Sequence, residues 1–132
     1  MSTAENKRLM QQIFAELAKG NSEALANALA DDVVWHVTGT TKFSGSYNGK
    51  SALINNLLTP LFSQLEGQYK NDADRFIADE DYVAVEYRGN STTKRGVPYN
   101  NKYCFVFRLE DGKIKEVTEY MDTELVVKTF GG

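Results

Sequence analysis

One cysteine, one histidine, one tryptophan and two prolines are all that 132 residues contain of those types. With Cys104 alone, no internal disulfide can form and no cysteine-based metal spacing exists. Positive charge is not in excess either: 15 Lys and Arg against 18 Asp and Glu leave a net charge of −3. That excludes the basic footprint of a nucleic-acid binder. No apolar run approaches the roughly 18 residues that cross a bilayer. The first residues, MSTAENKRLMQQ, lack the apolar stretch of a secretory signal. The expectation is a cytoplasmic globular protein, with neither nucleic acid nor membrane as partner. Aromatics, by contrast, are plentiful. Seven Tyr and seven Phe fall mostly in the second half, as a β-rich half would have them. The length suits one domain over residues 1–132 with a sizeable core.

The first third has helical spacing. Ser2 and Glu5 fit a capping box. Leu9, Ile13 and Leu17, with Met10 and Phe14 beside them, make an apolar stripe about four turns long, which Gly20-Asn21 ends. Ser22 can cap a second helix with Leu25, Ala28 and Leu29 inward. Val33 to Val37 is a short β-prone run, and Thr38 to Gly49 reads as a loop. Lys50 to about Gln64 is helical again. Pro60 predicts a kink there, or a new helix capped by Thr59, because it lacks an N–H and crowds the preceding turn. Strand patterns follow at 68–78, 82–93, 98–109 and 113–121, and Asp122-Thr123 opens a short C-terminal helix. Helices first and antiparallel strands later predict an α+β fold.

Several motifs then point to a family. Trp35-His36-Val37-Thr38-Gly39 is followed by Phe43-Ser44-Gly45-Ser46-Tyr47-Asn48-Gly49-Lys50-Ser51-Ala52-Leu53, and the chain ends on Gly112-Lys113-Ile114 and Glu119-Tyr120-Met121-Asp122. In order and spacing these resemble the SnoaL-like branch of the nuclear transport factor 2-like superfamily. The resemblance covers nearly the whole chain. It implies a cone-shaped, curved, mixed but mainly antiparallel sheet, packed by three N-terminal helices around an internal pocket. It also implies a homodimer through the outer sheet face, here expected to hold Val83, Val85, Tyr87, Cys104 and Val106. The superfamily includes ketosteroid isomerase, limonene epoxide hydrolase, polyketide cyclases, scytalone dehydratase and non-enzymatic modules, so a fold does not fix an activity.

Strand parity decides which side chains would meet a ligand. Along 82–90, alternation alone puts Val83, Val85 and Tyr87 in the core and Ala84, Glu86, Arg88 and Asn90 in water. The resemblance implies the reverse. Glu86 and Arg88 fall where limonene epoxide hydrolase carries two of its three charged catalytic residues, with their order exchanged, and Glu119 matches the third. A three-residue turn at Glu110-Asp111-Gly112 would set Glu119 opposite Tyr103, Val117 opposite Phe105 and Met121 opposite Asn101. A two-residue turn would instead put Glu119 beside Cys104. The first register makes one wall of Asn101, Tyr103, Phe105, Val117, Glu119 and Met121.

The resulting expectation is a catalytic cluster of Glu86, Arg88 and Glu119. Glu119 would be the base, Glu86 the acid and Arg88 the tether, as two carboxylates with separated pKa values allow. A structural ion pair between strands is the simpler reading of the same residues. Trp35 would line the pocket or pack in the core. His36 should point outward, Asp122 should cap the last helix, and Tyr69, Tyr99 and Tyr103 could donate to a ligand oxygen. Ketosteroid isomerase chemistry is not expected, because its functional positions fall near Val37, Ile13 and Phe105. Neither cofactor nor metal is called for. The candidates are a cofactor-free hydrolase, isomerase or cyclase acting on a small, largely apolar molecule, a non-catalytic ligand-binding module, or a dimeric association module.

Overall fold

In the computed structural model, residues 1–132 are described, Gln68 by its backbone alone. The capping box forms as the sequence predicts: Ser2 Oγ accepts from the Glu5 N–H and Glu5 Oε1 accepts from the Ser2 N–H. It starts helix α1 (Thr3–Ala18), whose Met10, Ile13, Phe14 and Leu17 are buried. Helix α2 (Glu23–Ala28) is short and has no side-chain cap at Ser22. Leu29 is not its last inward residue; it opens strand β1 (Leu29–Val37) and is buried there. The segment read as a loop contains strand β2 (Gly45–Asn48), whose polar, mostly exposed residues carry no apolar alternation.

The third helical stretch starts as α3 (Lys50–Leu53), widens into a π-helical turn (Ile54–Leu58) and ends as α4 (Thr59–Phe62). Pro60 explains the widening. An α-helical turn would press its ring against the carbonyl four residues back, and a π turn relieves that contact. The Thr59 N–H accordingly bonds the Ile54 carbonyl five residues back.

Strands β3 (Leu65–Asp79), β4 (Tyr82–Thr93), β5 (Lys102–Glu110) and β6 (Lys113–Met121) follow, and α5 (Thr123–Phe130) closes the chain. The six strands form one sheet in the order β2-β1-β6-β5-β4-β3. Only β1 and β6 pair in parallel; the other pairs are antiparallel. The fold is α+β with a curved mixed sheet, as the sequence reading has it. Phe14 of α1 packs on Phe76, Tyr87 and Phe107, with ring centroids 5.1–6.0 Å apart. That contact anchors the first helix on the inner face of the sheet.

The β5–β6 hairpin corrects the expected register. Its turn is the two-residue Asp111-Gly112, with Glu110 paired to Lys113. Both turn residues have positive φ, 50° and 77°, which matches the twist of the flanking strands. A bulge follows, since Arg108 pairs with Glu116 and Leu109 with Ile114, leaving Lys115 unpaired. Beyond it Glu119 faces Phe105, Val117 faces Phe107 and Met121 faces Tyr103. The expected partners were each two residues away. A slip of two preserves the face, so Tyr103, Phe105, Val117, Glu119 and Met121 still share one side.

Candidate active site

The concave face of the sheet and the helices enclose a cavity of about 700 Å³. Leu17, Leu25, Leu57 and Leu58 line it from the helices; Trp35, Tyr69, Asn71, Tyr87, Tyr103, Phe105, Glu119 and Met121 line it from the strands. Phe43, Tyr99 and Val126 complete the wall near α5. Most of these groups are apolar or aromatic, which suits a small organic ligand.

Glu119 is the only acidic side chain among the described residues that line this cavity. Three constraints hold it. Thr38 donates both its N–H (3.1 Å) and its hydroxyl (2.8 Å) to the Glu119 carbonyl. Phe105 sits directly across from it on β5. Trp35 Nε1 donates to the carboxylate Oε1 at 2.9 Å. Trp35 can reach because β1 and β6 run parallel: Trp35 is level with Val117 and Val37 with Glu119, all facing inward. The indole is held by an edge-on contact with Phe105, centroids 5.4 Å apart. Glu119 keeps some accessible surface, since one side of it faces the cavity, yet protein surrounds it. Burial pushes its pKa up to about 7, and the Trp35 hydrogen bond opposes part of that rise.

The rest of the expected charged cluster does not converge. Glu86 and Arg88 lie on the outer face of β4, with side chains 47% and 50% exposed. Glu86 pairs with Arg75 at 2.6 Å. Arg88 makes a forked contact with Asp74, Nε at 3.0–3.1 Å and one terminal nitrogen at 3.0 Å. Asp74 is the unpaired residue of a β3 bulge between Ala73 and Arg75. That bulge turns its carboxylate toward Arg88 on the outside. Simple alternation is therefore right for β4, and the inward placement implied by the resemblance is corrected. The expected outer face changes with it: Val83, Val85 and Tyr87 are buried inside, and Cys104 and Val106 remain on the outer side, opposite in parity to Tyr103 and Phe105.

Of the expected wall, Trp35, Tyr103, Phe105, Glu119 and Met121 line the cavity. Val117 is fully buried in the core beside them, and Asn101 sits behind the wall. The Asn101 amide donates to the Asp122 carbonyl and the Tyr99 hydroxyl, and its oxygen accepts from the Asp122 and Lys102 N–H groups. Asp122 caps α5 by accepting from the Leu125 N–H at 3.2 Å. His36 points outward and bridges Ser46 (2.7 Å) and Glu116 (3.0 Å) on the convex side.

Two cavity residues were not part of the expected wall. Tyr87 lines the cavity, although the strand alternation Val83-Val85-Tyr87 already carried that signal. Tyr99 lines the cavity and receives hydrogen bonds from Tyr103 (3.3 Å) and from Asn101 (3.2 Å). Nothing in the sequence marked it above the other tyrosines, because all three partners come together only through the β4–β5 connection and the start of α5.

A profile of the SnoaL-like domain matches residues 10–117. A curated relative, the dimerizing cyclase phiC of a fungal species (strain ATCC 74256), is 30% identical over 131 residues. That alignment covers 94% of this chain and 58% of the relative, so the chain spans little more than half the relative's length. Solved structures give the same fold. A cystatin-like-fold protein from Xanthomonas campestris has a TM-score of 0.80 at 25% identity, covering all of both chains. An NTF2-like protein from Burkholderia thailandensis has a TM-score of 0.80 at 22% identity, covering 98% of each. The chain belongs to the SnoaL-like domain family, within the NTF2-like fold.

Proposed function

We propose that this protein is a cofactor-free acid–base catalyst of the cyclase or isomerase type, acting on a small, largely apolar molecule with an enolisable carbonyl. The observation that carries the reading is Glu119: one carboxylate, held by Trp35 in a mainly apolar cavity, with its pKa raised to about 7. A base with that pKa is half-ionised near neutrality and accepts a carbon-bound proton far more readily than an ordinary carboxylate. Removal of a proton next to the carbonyl leaves an enolate. Its oxygen needs a donor, and a hydroxyl of the Tyr69, Tyr99 and Tyr103 group on the wall supplies one. Glu119 then returns the proton at another carbon for an isomerisation, or the enolate carbon attacks a second carbonyl for a ring closure and the alkoxide so formed takes the proton back from Glu119. The name of the fungal relative, a cyclase, supports the second outcome. The residues on the outer face of β4, Glu86 and Arg88, have no part in this mechanism.

The test is a screen of enolisable diketones and polyketide-like ketones, followed by deuterium exchange at the acidic carbon. Glu119→Gln is expected to lower exchange at least 100-fold while leaving ligand affinity within a few-fold. Equal exchange by both proteins removes Glu119 from the mechanism.

A further inference from the structure

The cavity has its mouth beside α4. Of the residues that line it, the exposed ones are Ser22, between α1 and α2, and Thr59, Phe62, Ser63 and Gly67, in α4, at its end and at the start of β3. The wall near α5 has no exposed lining residue among the described ones: Phe43 is half-buried, and Tyr99 and Val126 are buried. Entry is therefore between α4 and the α1–α2 turn. Phe62 is the one aromatic residue of the five at this mouth. It is 40% exposed, and its ring leans on Tyr69, with centroids 5.5 Å apart at 36°. Tyr69 in turn lines the interior. An entering molecule passes the Phe62 ring before it meets the inner aromatic wall.

The segment that carries Phe62 is held lightly. Leu57 on the π-helical turn and Leu65 at the start of β3 are buried, 3% and 6% exposed, and no side chain from Leu58 to Gln64 between them is buried. Leu58 and Leu61 line the cavity, so the segment roofs it. Among the described residues its side-chain hydrogen bonds close on the segment itself: Ser63 Oγ and Gln64 Nε2 both donate to the Pro60 carbonyl, at 2.8 Å and 3.3 Å. The far end is tied to the strands by a backbone bond from the Lys94 N–H to the Gln64 carbonyl at 2.9 Å. A stretch with few buried contacts between two firm anchors opens locally without unfolding the rest. The π-helical turn that precedes it is a feature that recurs at functional sites.

We propose that Phe62 gates this mouth and selects ligands by breadth: slender molecules pass the ring, and broad aromatic ones enter only when it swings off Tyr69. The ring is free to swing because one side of it is in solvent and the segment beneath it is loosely anchored. A gate of this kind alters the barrier between free and bound states and leaves the two states themselves alone. It therefore speeds or slows entry and exit together. This rests on the proposed function for the presence of a ligand in the cavity, and not on the reaction at Glu119.

The test is stopped-flow binding of two methyl ketones, broad 2-acetylnaphthalene and slender 2-octanone, to wild type and Phe62→Ala. The readout is the fluorescence of Trp35, the chain's one tryptophan, which lines the cavity. For the naphthyl ketone, kon and koff are both expected to rise about fivefold or more in Phe62→Ala, with Kd within about twofold. For the straight-chain ketone, both rates are expected to stay within about twofold. A rise in koff alone makes Phe62 an ordinary wall contact, and equal acceleration of both ketones removes it as a selector. Either result overturns the proposal and leaves the role of Glu119 untouched. If neither ketone binds wild type, the proposed function loses its ligand class, and quenching of Trp35 decides the gate by itself. The ratio of the quenching constant for nicotinamide, which is aromatic, to that for acrylamide, which is slender, is expected to rise about twofold or more in Phe62→Ala. An unchanged ratio overturns the proposal. Because the ring is largely in solvent, the Tm of Phe62→Ala is expected to stay within about three degrees of wild type. A larger fall marks the ring as structural and overturns the proposal.

Discussion

Ionising Glu119 works against the fold. Burial holds its pKa at about 7 against an ordinary 4.5. Between those pH values the folded chain keeps a proton that the unfolded chain has lost. Its contribution to stability is therefore full below about pH 4.5, declines as pH rises and is gone above about pH 7. The swing amounts to up to roughly 3 kcal/mol, less where cavity water wets the carboxylate. Glu119→Gln stays neutral throughout. The Tm of the variant minus that of wild type is expected to grow from pH 4.5 to 7 and then level off; a flat difference means that Glu119 is well solvated. The same group sets a rate profile. As a base it should give kcat/KM rising with pH through a midpoint near 7 to a plateau about one pH unit higher. Trp35→Phe keeps a ring on the wall but removes the indole donor. Since that hydrogen bond lowers the pKa of Glu119, the midpoint of the profile should move to higher pH. A midpoint that moves down, or does not move, assigns Trp35 to packing alone. Both residues were legible in the sequence: Trp35 sits in a short apolar strand, and Glu119 interrupts an otherwise apolar face. That they touch was not legible, because 84 residues separate them and only the parallel β1–β6 pairing joins their strands.

Strands fix faces by counting, and each bulge resets the count. In β4 nothing interrupts the alternation through Arg88, so Glu86 and Arg88 point out as their charge suggests. In β3 the extra residue Asp74 changes the phase: Tyr69, Asn71 and Ala73 face inward before it, and Phe76 and Ala78 after it. No turn residue marks that position in the sequence. In β6 the unpaired Lys115 follows a two-residue turn, and together they give the parity that a three-residue turn would have given. The face of Glu119 could thus be read correctly from a register that was off by two. At this scale Gly89 offers a direct test. Gly89→Ala sets a methyl carbon 2.2 Å from the Tyr69 hydroxyl and 2.9 Å from its ring carbon, so the phenol must leave its place. The expected result is at least tenfold weaker binding of aromatic ligands with a Tm lower by a few degrees. Unchanged binding shows that the Tyr69 seat is dispensable.

The whole molecule leaves its convex sheet face to be covered. Ala84, Cys104, Val106 and Thr118 are only partly buried there, with Tyr120 at 48% and Ile77 at 56% exposure. We propose that a second copy of the chain covers this face, as contiguous apolar surface favours. Sedimentation of wild type at micromolar concentration should give a dimer and Tyr120→Lys a monomer of similar Tm. A wild-type monomer removes the proposal. Among the described residues no helix is long and apolar enough to cross a membrane. The sequence alone determined the capped first helix, the Asp122 cap of α5 and the α+β class, because each depends on residues within a few positions of one another. Only the tertiary structure decided that the sheet closes into a cavity, that Glu119 is its one lining acid among the described residues, and that Glu86 and Arg88 stay outside. Closure depends on bulges, on the β1–β6 pairing and on helices laid across the concave face, which are contacts between distant segments that no local pattern encodes.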